Sequence, residues 1–470
     1  MTTEDNEPAR KKLKVEDDDS DEEIPEYIET LKKTSKNTSQ YLNTINRQFL
    51  NFDFEKECVI TLSKNNVYGC LVCGKYFQGR STNSPAYLHS IDTNHYIYLN
   101  LFTERFYILP ENYEIISSSL NDIIQLLNPR YRIEDLVEES RDLNDNTYKV
   151  GYIGLDNLSN NDYSNVVLQL ISHITPLRDF YIKMTYQPNV KDLVDLKCPL
   201  NSKFGLLCRK IWSKYLFKNH VSPHDVLQYI SIKTKNQFAI NMQTSPKRFL
   251  VWFLNNLNRE LMKTLKNPII STQLQGNVLI TKFPIVSEEI NQQVQYKTKA
   301  GESLSSKFWI LQLDLPTNSV FNQEIISEID LSHLLSKYNG KKTTQVSETE
   351  LRTYVLMKPL PKYILLHIDR KLENGETRGN PTVVTFPSIL DFAPYTKDAD
   401  ECLNYELVAN IEHELITGLE IDHKDDKQNW LIHLQQNMNT WYTIYNSQVS
   451  SCQRELLFAK ESYIQLWKAC

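Results

Sequence analysis

Two cysteines and two histidines between residues 70 and 95 constrain this chain more than any other feature. Cys70, Cys73, His89 and His95 form the pattern C-x2-C-x15-H-x5-H. The close cysteine pair is typical of a tight turn that points two thiolates at one place. Two histidines at this spacing complete the four ligands of a tetrahedral zinc site. The sequence therefore predicts one structural zinc ion, with no coordination position left open for a catalytic water.

The length, cysteine content and net charge of the chain limit its domain organisation, its cellular setting and its partners. The chain has 470 residues, 41% of them hydrophobic, which predicts a module of about 100 residues and one much larger domain. Its eight cysteines are few, and only two of them lie in a C-x2-C pair, which favours a reduced, intracellular setting. No apolar run is long enough to span a membrane. The net charge is −6, and residues 1–40 alone carry 12 acidic and 7 basic residues. The nearly neutral body favours protein partners and leaves direct RNA contact open.

Changes in composition divide the chain into four segments. Residues 1–40 are charged and polar, and we predict a disordered tail. Its basic stretch at 8–14, PARKKLK, predicts nuclear import, and an acidic run follows around Ser20, whose phosphorylation the sequence leaves open. Residues 41–136 are rich in apolar and aromatic residues, 137–149 form a polar linker, and 150–470 form one large domain.

The segment around the zinc pattern resembles a known family. The sequence CLVCGKYFQGR at 70–80, followed by His89 and His95, is similar to the zinc finger of ubiquitin-specific proteases, the UBP type. That family often has a second metal site beside the first. The matching positions here hold one thiol, one hydroxyl, one amide and a proline, namely Cys58, Thr61, Gln78 and Pro85. Such a set does not bind zinc, so the resemblance also implies a single ion.

The same resemblance bears on ubiquitin binding. Relatives that bind ubiquitin grip its free carboxy-terminal tail with an arginine and aromatic walls. Arg80 matches that arginine, whereas Tyr68 stands where a tryptophan is usual. We therefore expect a structural finger that contacts a neighbouring protein, in preference to a ubiquitin-binding pocket.

The large domain resembles the protease part of the same family. The sequence GLDNLSNNDYSNVVLQ at 154–169 is similar to the nucleophile box, whose pattern is GLxNLGNTCYMNxxLQ. Further family boxes follow in the expected order at 249–257, 360–370 and 405–413. The resemblance implies an α+β fold: a small UBP-type zinc finger, then a papain-like ubiquitin-specific-protease fold with thumb, palm and fingers. Residues 270–310 contain no cysteine, so we expect no second zinc in the fingers.

The catalytic positions of the family are filled by other residues. Asp162 stands at the nucleophile, Asn429 at the general base and Tyr445 at the acid that orients the base. A Cys–His–Asp triad needs a thiolate, a base and an orienting group in contact, and these three residues do not supply them. We therefore predict a non-enzyme. Asp162 is expected to cap a helix, and Asn157, which matches an oxyanion-stabilising residue, is expected to make a structural hydrogen bond.

Two other ways to restore activity remain open at this stage. His433 lies four residues after Asn429, but it would point in a different direction, and we interpret it as a strand residue. Another thiol could replace the lost nucleophile, yet none of the remaining cysteines lies in a recognisable nucleophile box. These candidates are Cys198, Cys208, Cys402, Cys452 and Cys470.

The one-zinc finger and the degenerate triad together resemble the splicing-associated branch of the family. The sequences FYILPENYEIISSSL at 106–120 and SYIQLWK at 462–468 are especially similar to it. The resemblance implies a non-enzymatic scaffold of the spliceosomal tri-snRNP in the nucleus, monomeric within that large complex and bound to tri-snRNP proteins. The alternative is a ubiquitin or ubiquitin-like reader without protease activity. Which subunits are contacted, and at which step of splicing, is not specified by the sequence.

Overall fold

The computed structural model of the protein describes residues 38–290, 293–298, 301–316, 328–370, 379–397, 402–416, 427–437, 439–459 and 461–470. The predicted tail, with its basic stretch and Ser20, lies outside these ranges up to residue 37. The described chain forms two compact units. One contains Lys56–Ser117 and the residues that precede Asn51, and the other contains Asn51–Glu55 and Ser118–Cys470.

The first unit is a small antiparallel sheet with one long helix. Its strands are ordered β2-β1-β3-β4-β5, and its core is largely aromatic, with Tyr68, Phe77 and Tyr98 buried around Cys70. Short strands rich in tyrosine and phenylalanine pack well on a half-buried sheet. The helices are α1 (Thr38–Leu42) and α2 (Pro85–Thr93), and the strands are β1 (Val67–Cys70), β2 (Tyr76–Gln78), β3 (Ile97–Asn100), β4 (Phe106–Ile108) and β5 (Tyr113–Ile115).

The second unit begins with a mainly helical layer. In its longest helix, apolar residues recur three and four positions apart, so that Phe249, Phe253 and Leu257 lie buried on one face. None of the described helices is both long and apolar enough to cross a membrane. The helices are α3 (Asn121–Leu127), α4 (Asp162–Ser172), α5 (Thr175–Lys183), α6 (Pro188–Lys197), α7 (Pro199–Ile211), α8 (His224–Lys233), α9 (Pro246–Leu265), α10 (Ile269–Leu274) and α11 (Leu331–Leu335).

The strands of the second unit form one large sheet, a second sheet and three small pairs. The large sheet has the order β13-β17-β24-β20-β21-β22-β23, with β19 beside β20, and the second sheet joins β10, β11, β12, β15 and β16. The strands are β6 (Glu139–Arg141), β7 (Thr147–Lys149), β8 (Gly154–Leu155), β9 (His220–Val221), β10 (Gly276–Ile290), β11 (Gln293–Thr298), β12 (Glu302–Phe308), β13 (Ile310–Asp314), β14 (Glu328–Asp330), β15 (Thr344–Ser347), β16 (Glu350–Met357), β17 (Tyr363–Asp369), β18 (Val383–Thr385), β19 (Ile389–Asp391), β20 (Asn404–Ile416), β21 (Lys427–Asn437), β22 (Thr440–Tyr445), β23 (Gln448–Cys452) and β24 (Ser462–Ala469).

Both faces of the large sheet are covered. Along β17, Leu365 belongs to the core shared with the helices, whereas Leu366 and Ile368 belong to a second core on the other face. Successive side chains of a strand point to opposite faces, so a continuous apolar run such as this is buried on both faces of the sheet. The predicted α+β fold, a small zinc finger followed by a protease-like domain, is therefore confirmed.

The boundary between the units lies earlier than the predicted linker. Residues 118–136, which the sequence analysis assigned to the finger, belong to the second unit. Ile123 and Leu127 of α3 are buried, and the hydroxyl of Tyr131 donates a hydrogen bond to the carbonyl of Arg209 at 2.7 Å. Within the predicted linker, β6 and β7 form an antiparallel pair. Apolar density is similar on both sides of residue 117, so composition gave no signal at this boundary.

The short segment Asn51–Glu55 is held in the second unit by a buried ion pair. The Lys210 ammonium on α7 contacts the Asp53 carboxylate at 2.6 Å and the Phe52 carbonyl at 3.2 Å. The other carboxylate oxygen of Asp53 accepts a hydrogen bond from the Ser222 amide at 2.9 Å. The Lys210 and Asp53 side chains are only 5% and 15% exposed. Because little water reaches them, each charge is stabilised mainly by the other.

Replacing Lys210 should therefore destabilise the second unit. We expect Lys210→Met to lower its free energy of unfolding by about 3–5 kcal/mol, because the Asp53 carboxylate would stay buried without its counter-ion. Urea unfolding followed by circular dichroism measures the change. Lys203→Met on the same helix is the matched control: its ion pair with Asp225 is about one-third exposed, so its loss should cost about 0–1 kcal/mol. Equal losses for the two variants would contradict this prediction.

Candidate functional site

The four predicted zinc ligands meet in the first unit. Cys70 ends β1, and the turn that follows brings Cys73 back beside it. In this turn Gly74 has a φ of +73° and its amide donates to the Cys70 carbonyl at 2.9 Å. A Cβ at Gly74 would lie 2.3 Å from the Phe49 carbonyl oxygen, so only glycine fits there. His89 lies on α2, and His95 follows that helix just before β3 begins.

The distances between the ligand atoms fit a tetrahedral metal. One ligand atom from each of the four residues lies within 4.8 Å of all the others. The Cys73 Sγ is 3.5 Å from the His89 Nε2, the Cys70 Sγ is 3.7 Å from the His95 Nδ1, and the two histidine nitrogens are 3.2 Å apart. Zinc–sulfur and zinc–nitrogen bonds of usual length place such atoms about 3.5 Å and about 3.3 Å apart. The arrangement therefore suits zinc.

Contacts with neighbouring groups orient the His89 ring and change the pKa of the Cys73 thiol. The Phe77 ring stacks on the His89 ring with centroids 4.1 Å apart, which fixes the plane of the imidazole. A hydrogen bond with Cys70 lowers the pKa of the Cys73 thiol, which favours the thiolate form that zinc binds.

The positions of the second family metal site lie together but hold no comparable ligand set. The Thr61 hydroxyl donates to the Gln78 side-chain oxygen at 2.9 Å, and the amides of Ile60 and Thr61 approach the Cys58 Sγ at 3.5 and 3.4 Å. Pro85 is the first residue of α2. Hydrogen bonds thus link Cys58, Thr61 and Gln78, three of the four positions at which the resemblance places a second metal.

Arg80 and Tyr68 are both engaged within the finger. The Arg80 guanidinium lies 4.5 Å above the centre of the Tyr107 ring and donates to the Asn112 side-chain oxygen at 2.6 Å. Tyr68 is 2% exposed and packs edge-on against Tyr107. A buried ring does not form the wall of an open pocket.

In the second unit, a network of amide side chains fixes the residues of the nucleophile box. Asn165 donates to the Leu155 and Asp156 carbonyls, and Gln169 donates to the Ile153 carbonyl at 2.7 Å. Asn161 donates to the Asn165 side-chain oxygen at 2.9 Å. These bonds hold the chain around β8 against α4, the helix that follows the box.

The carboxylate of Asp162 joins the start of α4 to the large sheet. One oxygen accepts the Tyr163 amide at 2.9 Å, and the other accepts the Trp430 amide of β21 at 3.1 Å. Asp162 is 4% exposed, and burial raises the pKa of its carboxyl despite these hydrogen bonds. The predicted role was a helix cap, but Asn161 occupies the N-cap position and Asp162 is the first residue of α4. Its carboxyl instead joins the amide of the next residue to a strand residue 268 positions away.

The other two triad positions lie beside Asp162. Asn429 directly precedes Trp430, whose amide binds the carboxylate. Burial raises the pKa of the Tyr445 phenol, and the nearby Asp162 charge raises it further. The three residues that the sequence analysis assigned to the triad positions carry a carboxyl, an amide and a phenol, and their assignment stays a prediction.

The remaining predicted residues lie as follows. The Asn157 side-chain oxygen accepts the Asn161 amide at 3.2 Å. His433 is in β21, as expected of a strand residue, and its ring contacts Glu412 and not Asp162. Among the candidate thiols, Cys198 and Cys208 are buried, Cys402 and Cys470 are exposed, and Cys452 is partly exposed.

Sequence reasoning missed several residues that shape these sites. No local sequence pattern predicts the contacts of three of them, which are Phe77, Asn112 and Trp430. The amides of Asn161 and Asn165 had a possible signal, since residues four apart on a helix face each other.

Comparison with known proteins agrees with this geometry. The family model described as "Ubiquitin carboxyl-terminal hydrolase" matches residues 153–467. The model described as "Zn-finger in ubiquitin-hydrolases and other protein" matches residues 57–120. The second match contains all four predicted zinc ligands, and the first contains the three residues predicted to fill the triad positions.

Three individual proteins are similar over nearly the whole chain. Ubiquitin carboxyl-terminal hydrolase 39 of Homo sapiens is 38% identical over 91% of this chain and 79% of its own length. The probable mRNA-splicing protein ubp10 of Schizosaccharomyces pombe is 35% identical over 98% of this chain and 94% of its own. A solved structure described as an essential yeast splicing factor has a TM-score of 0.73 and 31% identity, and covers 92% of this chain and 100% of its own. This chain therefore belongs to the ubiquitin carboxyl-terminal hydrolase family and carries that family's zinc finger at its amino-terminal side.

Proposed function

We propose that this protein is a non-enzymatic scaffold of the spliceosomal tri-snRNP that supports the assembly or stability of the particle in the nucleus. The observation that carries the proposal is the similarity, over almost the full chain, to proteins named for splicing. The finger and the large domain would each offer surfaces to tri-snRNP proteins. The near-neutral body and the basic stretch at 8–14 also support protein partners and nuclear entry.

The chemistry of the degenerate triad supports the absence of protease activity. A carboxyl, an amide and a phenol at Asp162, Asn429 and Tyr445 provide neither a thiolate nor an imidazole. The Asp162 carboxylate is already bonded to two backbone amides. If it attacked a ubiquitin amide, the product would be a labile mixed anhydride, and the two hydrogen bonds would be lost.

For the finger, we propose one zinc ion bound by Cys70, Cys73, His89 and His95. When bound, the ion would act as a structural cross-link between the knuckle, α2 and the residue before β3. The second metal position is proposed to be lost, because Thr61 and Gln78 bond to each other across it.

The alternative is a reader of ubiquitin or a ubiquitin-like protein. The burial of Tyr68 and the internal contacts of Arg80 favour the scaffold over this reader. Titration of the full chain with ubiquitin tests the alternative directly. Saturable ubiquitin binding in the micromolar range would favour the ubiquitin reader over the scaffold.

Loss of a zinc ligand should release the metal and unfold the finger. We expect the wild type to contain one zinc per chain and Cys73→Ser to contain none, because structural zinc binding is coupled to folding. Metal analysis gives the zinc content, and limited proteolysis reports whether Lys56–Ser117 becomes accessible. Cys470→Ser, which removes an exposed thiol, is the control and should change neither. Zero or two ions in the wild type would contradict the prediction.

The wild-type protein should not cleave ubiquitin conjugates. We expect no hydrolysis of a fluorogenic ubiquitin substrate, and none from Asp162→Cys, because triad members act as a unit and one restored member is not enough. An active member of the family serves as the positive control. Turnover by the purified wild type, above that of a buffer blank, would disprove the proposal that this protein is not an enzyme.

Depletion of the protein from cells should distinguish the scaffold function from the alternative functions. Unspliced precursor RNA should accumulate and the tri-snRNP should dissociate, as seen by sedimentation. Asp162→Asn should rescue both, since it keeps an acceptor for the Trp430 amide while removing the carboxylate. Cys73→Ser should fail to rescue, because it loses the finger. Unchanged splicing and particle integrity after depletion would reject the scaffold.

A further inference from the structure

The segment from α5 to α10 is strongly basic, although the chain beyond its first 40 residues is nearly neutral as a whole. Residues 175–275 contain 16 lysines and arginines but only 5 aspartates and glutamates, which gives this segment a net charge of +11. Four of the five acids already contact a lysine or an arginine of the same segment, namely Asp179, Asp195, Asp225 and Glu260. Most of the positive charge is therefore not compensated within the segment, and it attracts anions from outside.

The longest helix of the segment, α9, carries part of this charge on its outward side. Phe249, Phe253 and Leu257 are buried on its inward side. On the other side, exposed residues recur three, four or seven positions apart, which a helix places on one face. They are Arg248, Asn255, Arg259, Met262, Lys263 and the capping residue Lys266. We call the four cations among them the basic face: Arg248, Arg259, Lys263 and Lys266. At 1.5 Å per residue, the basic face extends over about 27 Å.

The single acidic residue of α9 does not neutralise the basic face. One carboxylate oxygen of Glu260 accepts the amides of Leu200 and Asn201 at 3.1 and 3.2 Å, and the other contacts the Lys233 ammonium at 2.8 Å. The Glu260 side chain is 12% exposed, so its charge is directed into the protein. Within the part of the chain that the structure describes, no cation of the basic face forms an ion pair. The basic face is therefore open to an anionic partner.

The composition of this side of α9 fits a phosphate backbone better than a protein surface. The centres of protein interfaces are rich in aromatic residues and depleted of lysine. Along α9, all of which the structure describes, Met262 is the one large apolar residue that is exposed, and Trp252 packs against the core. Arginine and lysine donate charge-assisted hydrogen bonds to phosphate oxygens without needing an apolar centre. A partner that offers regularly spaced negative charge matches this side of the helix.

We propose that the basic face of α9 binds the phosphate backbone of RNA and does not read its sequence. Four cations along about 27 Å can contact different phosphates, and each contact releases counter-ions from the nucleic acid. The choice of RNA as the polyanion rests on the proposed function, because the tri-snRNP contains small nuclear RNAs. The charge and the geometry of the basic face belong to α9 itself and do not rest on that function.

The test measures binding of the full, zinc-loaded chain to a labelled RNA duplex of about 20 base pairs by fluorescence anisotropy. Between about 50 and about 200 mM potassium chloride, the logarithm of the affinity should fall linearly with the logarithm of the salt concentration. The triple variant Arg259→Gln, Lys263→Gln and Lys266→Asn should bind at least about tenfold more weakly, and its salt slope should be less steep by about three, one for each lost phosphate contact. Asparagine is chosen at Lys266 because the backbone there has a φ of +51°.

A matched triple variant removes the same charge from another part of the second unit. Lys341→Gln, Lys342→Gln and Lys362→Gln replace exposed lysines outside the segment 175–275. This variant should keep the affinity of the wild type within about twofold, because it leaves every phosphate contact in place. The double variant Arg259→Lys and Lys263→Arg, which keeps both charges, should also bind like the wild type. Equal losses in the two triple variants, or no binding by the wild type at about 50 mM salt, would overturn the proposal.

The acidic run EDDDSDEE at 16–23 is a competing anion within the same chain. A synthetic peptide of this sequence that binds the wild type more tightly than the RNA duplex does would also overturn the proposal, and would assign the basic face to an acidic peptide. Since the assay uses purified protein, it fails or succeeds separately from the depletion experiment. RNA binding through the basic face with unchanged splicing after depletion would reject the scaffold alone. Loss of splicing after depletion, without RNA binding by the purified chain, would reject the basic face alone.

Discussion

The complete burial of helix α4 is the constraint on which the large domain depends. All eleven of its residues, Asp162–Ser172, are buried, including five with polar side chains. A buried polar group without a partner costs about 1–3 kcal/mol, so each of these side chains must find a hydrogen bond within the protein. They find it at the chain around β8, at their own helix and at β21. The residues of the nucleophile box are thus required by the fold, whether or not catalysis takes place.

Asp162, which the resemblance places at the nucleophile, shows how this constraint acts on one side chain. Its two amide partners stabilise the charged form, yet burial disfavours that form more and raises the pKa. The stability that this raised pKa provides is present below the ordinary value of an aspartate, and it is lost as the pH rises through the folded-state pKa. Ionisation of Asp162 at this joint between α4 and β21 therefore carries a desolvation cost that its hydrogen bonds offset only in part.

The sequence could predict contacts that are local and could not predict those between distant segments. The four zinc ligands lie within 26 residues, so their spacing was enough to predict the cluster that the structure contains. The residues proposed to fill the triad positions were assigned only by family resemblance, because they come from separate elements. No pattern announced the ion pair of Asp53 with Lys210, or the amide of Trp430 at Asp162, since these partners lie 157 and 268 residues apart. The contact of His433 with Glu412, 21 residues away, depends on the register of the neighbouring strands β20 and β21, which no local pattern specified.

Strand β21 carries polar groups with hydrogen-bond partners on both of its sides. On one side of the strand, the Trp430 amide satisfies Asp162, and a carboxylate held by two amides has little tendency to attack. Catalytic groups are usually kept partly unsatisfied, and this commonly lowers stability. Three residues further on, the His433 ring is buried between the Glu412 carboxylate and the Thr443 hydroxyl, so both of its nitrogens have partners as well. The residue that the resemblance places at the nucleophile has thus become part of the hydrogen-bonded framework that joins α4 to the large sheet.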